Sequence, residues 1–348
     1  MQTALSTNHR FDGALLAPPT TERKPKTLTD VAEEFRALEA REHPDVVLEM
    51  RELRMTDVGA IAVPGHGDFM PTDWARRQLA VSLGIRWEKW FGTVTGEERA
   101  SEINTRLARN AGRVRLRTMR TSDADAPKEV LRAFVSASYA PVSDARFAEL
   151  LAEALGDAPH SVVRPAVTDR STSYVIALDR IYRPGGDRKI GDLRGGLIVR
   201  NSGVGYASLV VAMHLERLIC TNGMEVPIED NVLISCVHRH VSEDKIRARL
   251  AERGKQIGGV LEQGAERLLR SRERVVSDDE REEAFLALLK RARLPKTHLN
   301  ALEAAYSLEP EASAFGIVSA TTRASQAFAP EDRFALERAA TSYLVDAA

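Results

Sequence analysis

Between Glu102 and Arg120 six arginines, Arg106, Arg109, Arg113, Arg115, Arg117 and Arg120, are opposed by Glu102 alone. A guanidinium is a planar fork of donors that matches phosphate oxygens two at a time, so a row of them suits a nucleic-acid backbone. The run RVRLRTMR alternates in the manner of a strand, which places Arg113, Arg115 and Arg117 on one face and Val114, Leu116 and Thr118 on the other. All six are therefore the candidate nucleic-acid-binding residues. The competing expectation is neutralisation by acids from elsewhere, such as the Asp123/Asp125 turn or the C-terminal helices.

Other constellations carry less. Cys236, His238 and His240 occupy alternate positions, and with Cys220 nearby four soft ligands could hold zinc, but the spacing matches no standard zinc motif. A structural cysteine beside a surface histidine pair is the simpler expectation, so no metal and no cofactor is assigned. The turn from Asn201 to Gly205 is glycine-rich yet lacks the Lys-Ser/Thr pair of a phosphate loop and opens no helix. Its Asn and Ser can close on their own backbone, and Asn222-Gly223 is likewise a hairpin signal, so both turns read as architecture, with a ligand loop as the alternative. Gln78 to Ile85 has the rhythm of a helix-turn-helix, but the Arg86 to Phe91 segment behind it is short and largely aromatic, which favours packing; Trp87 or Trp90 would serve as a base-stacking platform only if exposed. No Ser/His/Asp or paired-carboxylate arrangement commends itself: Asp169, Asp179, Asp187 and Asp192 lie at expected strand ends or turns. No catalytic residue is assigned.

The stretch from Gly195 to Met224, with Asn201-Ser202, Val204-Gly205 and Cys220-Thr221-Asn222-Gly223, resembles the phage/plasmid-like protein family catalogued as domain of unknown function 932. The resemblance continues in Leu79 to Phe91, in Arg132 to Pro141, in Arg239-His240 and in the late GIVSATTRASQAF stretch, and so covers most of the chain after about Val46. It implies a mobile-genetic-element setting and brings no assigned activity with it.

The elements that must position these residues follow from period and punctuation. Residues 1–27 show neither helical nor strand period and are expected to form a disordered arm. Residues 28–125 read as a helix and strand segment: Asp30 caps a helix over Val31 to Arg41, Val46 to Met55 is extended, and Thr72 or Asp73 caps a helix that Gly84 ends. Residues 126–241 form a β-rich core, with an amphipathic helix capped by Ser143 and closed by Gly156. Its strands, separated by Gly, Asp and Pro turns such as Pro184 to Asp187, favour antiparallel pairing. His214 to Cys220 fits a helical period as well as a strand. Residues 242–348 are helical. One long helix from Ser242 to about Arg272 carries the stripe Ile246, Leu250, Ile257, Leu261 and Leu268, and four further helices follow. The fold class is thus α+β: a predominantly antiparallel sheet, an N-terminal helical and strand segment, and a helical C-terminal region.

With 43% hydrophobic and 28% charged residues the chain is ordinary for a globular protein, and its net charge of −1 exerts no global pull on polyanions. Only two cysteines, no signal-peptide pattern and no apolar run long enough to cross a bilayer make it a cytoplasmic, soluble expectation. The function expected from these features is a non-enzymatic DNA-associated factor of a mobile element, single-stranded DNA favoured, assisting annealing or recombination. The alternatives are a metal-dependent enzyme acting on nucleic acid and a protein-interaction module that counters host defence. An open sheet with uncovered edges, and a helical stripe longer than a small sheet needs, add the expectation of a homo-oligomer.

Overall fold

The computed structural model describes residues 26–86, 94, 96–121, 129–183, 192–217, 225–239 and 242–347, without the side chains of 164, 225–231 and 345–347. The arm at 1–25, Trp87 and Trp90, the Asp123/Asp125 turn, the turn from Pro184 to Asp187, the segment from Cys220 to Met224 and His240 lie outside the described residues.

The class is α+β. Helix α1 (Leu28–Glu39) precedes strands β1 (Val46–Glu49), β2 (Arg54–Met55), β3 (Ile61–Val63) and β4 (Gly67–Pro71), helices α2 (Asp73–Ser82) and α3 (Gly96–Ala108), and strands β5 (Arg113–Arg120) and β6 (Glu129–Ser136). After α4 (Asp144–Leu155) come β7 (His160–Val167), β8 (Thr172–Tyr182), β9 (Leu193–Asn201), β10 (Leu209–Arg217) and β11 (Glu225–Cys236). Helices α5 (Glu243–Gly254), α6 (Ile257–Arg270), α7 (Asp278–Ala292), α8 (Leu299–Leu308), α9 (Ala314–Ser325) and α10 (Pro330–Ala347) complete the chain.

Two sheets organise these elements. The first has the order β1-β5-β6-β4-β3-β2 and is antiparallel except where β4 runs parallel to β6, Met70 opposite Val130. Its apolar side, with Leu79, Ile103, Leu107 and Leu116, is sealed by α2 and α3. The second has the order β11-β10-β9-β8-β7 and is antiparallel throughout. One face, with Ile176, Val199 and Val211, is buried under α1, α4, α5 and α6. On the other, Val175, Ile198 and Ala212 meet Phe334 of α10. Helices α7 to α10 share a further core around Phe285, Leu302 and Leu336. Helix α9 is buried at every residue except Arg323. Its polar side chains tolerate this because Thr321, Thr322 and Ser325 donate to the preceding turn of their own helix at 2.7, 2.9 and 2.8 Å.

Several expectations are corrected by tertiary pairing. Strand β6 joins the first sheet, so the division between the N-terminal segment and the β-rich core falls after Ser136 and not at residue 125. Helix α1 starts earlier than Asp30: Thr27 is the cap, and Asp30 completes a reciprocal capping box by accepting the Thr27 amide at 2.7 Å. The single long helix after Ser242 is two, broken over Lys255 and Gln256 behind Gly254. Its stripe is consumed inside the chain, since Ile246, Leu250, Leu261 and Leu268 all belong to the core beneath the second sheet. His214 to Arg217 continues strand β10.

The edges of the second sheet bear on the expected oligomer. Pro165 lies within β7 and Pro227 within β11, the two edge strands, and Val162 donates its amide to the Lys26 carbonyl at 2.6 Å. A proline offers no amide hydrogen, so each of these strands lacks one donor at that position.

Candidate nucleic-acid interface

Strand β5 forms as the alternation predicts, with Val114, Leu116 and Thr118 buried on the core side. Its arginine face, however, is not a uniform row. Asp45 bonds Arg115 at 3.1 Å and Arg117 at 3.3 Å, and Glu42 bridges Arg117 and Arg132. Arg115 also donates to the Ala137 carbonyl at 3.1 Å, and Arg117 to the Gly203 carbonyl at 2.6 Å. Both guanidiniums are committed to partners within the fold. Arg120 is exposed but pairs with Glu129 at 3.2 Å, and Arg106 pairs with Glu102 at 2.7 Å one helical turn away. Arg109 and Arg113 are exposed and have no carboxylate partner among the described residues, although Glu49, held by Arg51 at 2.5 Å, lies opposite Arg113 in the β1–β5 register. Arg106 and Arg109 border an open cleft of about 510 Å³ with Ser82, Thr105 and Asn110. Among the described residues the acids on Arg115 and Arg117 come from the connection between α1 and β1 and not from the C-terminal helices. Antiparallel pairing of β1 with β5 carries that connection alongside Arg115 and Arg117.

Arg117 is part of a clamp that joins the two sheets at the turn from Asn201 to Gly205. Tyr139 donates its hydroxyl to the Ser202 carbonyl at 2.6 Å, and Trp74 and Gln78 donate to the Val204 carbonyl at 2.9 and 2.8 Å. Asn201 donates to the Val142 carbonyl and to Asp144, at 2.9 and 2.7 Å, while Ser202 donates to the Arg170 carbonyl at 2.7 Å. Gly205 adopts a φ of 77°, the left-handed conformation the sharp reversal requires. The carbonyls of Ser202, Gly203 and Val204 are thus taken by side chains from β5, from α2 and from the segment after β6. Burial pushes the Asp144 carboxyl up to about 6 against the hydrogen bonds from Thr172 and Asn201. Burial likewise pulls the Arg132 guanidinium below its ordinary range, opposed by Glu42.

On the far side of the turn, the second sheet and α10 enclose a different arginine. Arg200 lies 5.3 Å from the Tyr206 ring centre and 4.6 Å from that of Phe334. No carboxylate pairs with it among the described residues. It lines a cavity of about 560 Å³ with Tyr206, Ser208, Ser235, Phe334 and Arg338. Residue order offers no local signal for this grouping, because Phe334 and Arg338 arrive from a helix more than a hundred positions later.

Cys236 and His238 do not share a strand face, and His238 is buried where a surface histidine was expected. Strand β11 ends at Cys236, and the chain then bends so that His238 tucks beneath Tyr139, ring centres 5.1 Å apart. Burial, with Arg117 nearby, holds the His238 pKa below its usual value. Cys236 accepts from Arg249 at 3.2 Å. Among the described residues no three His, Cys, Asp or Glu side chains are grouped to hold a metal ion, and no helix is long and apolar enough to cross a membrane. Compared with protein-family models, curated proteins and solved structures, the chain matches none.

Proposed function

We propose that the protein is a non-enzymatic factor that binds single-stranded nucleic acid, DNA in the mobile-element setting that the sequence resemblance implies. Its contact surface is the edge formed by Arg106, Arg109 and Arg113, with Arg120 at the other end of the strand. The observation that carries this is the exposure of Arg109 and Arg113 without carboxylate partners among the described residues, with Arg109 beside an open polar cleft. Arg115 and Arg117 contribute by fixing β5 and not by touching phosphate. In a chain of net charge −1, such a local cluster supplies the phosphate contacts that the whole does not. Assembly through the edges of the five-stranded sheet is not part of the proposal.

The test is fluorescence anisotropy with labelled single-stranded and duplex oligonucleotides over a salt series. Replacing Arg106, Arg109 and Arg113 together by Ala is expected to flatten the dependence of log K on log salt by roughly 2 for the single strand. Unchanged affinity and slope in the folded variant would overturn the proposed function.

A further inference from the structure

We propose that the cavity at the junction of the two sheets is a binding site for a small free α-amino acid with an aliphatic side chain, its ammonium held by Asp144 and Glu39 and its carboxylate by Arg132. The site shares no residue with the edge formed by Arg106, Arg109 and Arg113 and does not depend on it.

Helix α1, strands β5 to β8 and the start of α4 meet around a cavity of about 170 Å³. Within its lining, Glu42 bridges Arg117 and Arg132. One donor is left over: Arg132 is only 8% exposed, and its buried Nε has no hydrogen-bond partner. Asp144 lines the same cavity, and its charge and that of Arg132 act on each other, yet no hydrogen bond or ion pair joins the two among the described residues. A guanidinium and a carboxyl that share a small cavity without meeting leave between them a place for a molecule carrying both opposite charges. The Asp144 oxygens accept from Thr172 and Asn201, each at 2.7 Å, and a carboxylate has capacity for further donors. Burial first, and the Glu39 charge after it, push this carboxyl up to about 6. An ammonium relieves both effects, whereas an anion without one would be repelled.

Size and apolar surface select among zwitterions. A cavity of roughly 150 Å³ holds a benzene-sized molecule, so this one admits a body of about six to eight heavy atoms, the range from alanine to valine. Leu38, Val142 and Val167 supply an apolar wall for a short aliphatic side chain, and Phe35 is set against the Tyr174 ring at 5.7 Å. The polar frame is preorganised. Asn201 is held by the Val142 carbonyl at 2.9 Å, and Glu39 accepts from the Ser143 hydroxyl at 2.8 Å and the Ala145 amide at 3.2 Å. Little ordering is left to oppose binding.

Calorimetric titration of the full chain with L-alanine, L-valine, n-propylamine and propionate tests this. At about pH 7.5 the amino acids are expected to bind more tightly than either one-ended probe. The other charged or titratable groups around Asp144 are Glu39 of α1, Glu42, Arg117 of β5, Arg132 of β6 and the hydroxyls of Tyr139 and Tyr174, both held above their ordinary range by burial. Only molecules with Asp144 ionised take the ammonium, so affinity should fall about tenfold on going down to about pH 5. Asp144→Asn should weaken binding about tenfold or more and remove that pH dependence, and Val142→Phe, which fills the apolar end, should abolish valine binding, with melting temperature showing that each variant is folded. The variant lacking Arg106, Arg109 and Arg113 should bind the amino acids as the wild type does, so this site and the nucleic-acid edge fail separately. No binding by the folded wild type, binding no tighter than that of n-propylamine or propionate, or indifference to both Asp144→Asn and Val142→Phe would overturn the assignment.

Discussion

Arg117 and Arg200 serve the same turn from opposite sides, one reaching in from β5 of the first sheet and the other standing on β9 just before it. Arg117 meets Glu42, Asp45 and the Gly203 carbonyl. Arg200 meets two aromatic rings and a cavity. Equal in chemistry, the two differ in what surrounds them: carboxylates and a carbonyl bind the Arg117 guanidinium into the fold, whereas ring faces attract the charge of Arg200 at the border of a cavity. Arginine content alone therefore says little about phosphate binding.

The largest effect is expected from breaking the committed side. Arg117→Ala strips Glu42 and Asp45 of a shared partner and orphans the Gly203 carbonyl in a poorly solvated junction, which should cost about 3 kcal/mol or more. Urea unfolding measures it; a loss below about 1 kcal/mol would mean that the clamp is ornamental.

Next in size is a pH effect on the same junction. Asp144 and Asp169 are both held up to about 6, in each case chiefly by burial. The folded chain then binds these protons more tightly than the unfolded chain. Their contribution to stability is greatest at acid pH, declines as pH rises from about 4 to about 6, and is level above that. The decline for Asp144 should be on the order of 1–3 kcal/mol, and Asp144→Asn should flatten it. The check is the pH dependence of the unfolding midpoint in wild type and variant; parallel curves would place the Asp144 proton elsewhere.

Gly205→Ala sharpens the comparison at the turn itself. A side chain at φ 77° whose Cβ would stand 3.0 Å from Val135 is expected to cost about 1–2 kcal/mol. Thermal melting reads the loss, and binding per folded molecule should be unchanged. The smallest effect on stability belongs to the exposed arginines. Replacing Arg106, Arg109 and Arg113 should change stability by no more than about 0.5 kcal/mol per site, against the large loss at Arg117 in the same stretch of chain.

Elements stabilised by neighbours in sequence were legible. Thr72, Ser143, Ser242 and Ser277 cap their helices because a hydroxyl reaches an amide three residues on without help from the rest of the fold. Strand β5 showed in its alternation for a comparable reason. The break at Gly254 was visible as a residue but not as a boundary, since the flanking periods run on in phase. Of the candidate site, the arginines could be named but their partners could not. Glu42 and Asp45 lie some seventy positions before Arg117, and their approach depends on β1 pairing with β5.

The sequence by itself determined the α+β class, the caps at Ser143, Ser242 and Ser277 and the faces of β5, all consequences of local backbone preference and of side-chain period. Tertiary structure alone decided which arginines are neutralised, that Pro165 and Pro227 stand on sheet edges, and that Arg200 shares a cavity with Phe334 and Arg338. Charge compensation and cavity formation depend on distance in space, and strand order, which no local period encodes, sets that distance.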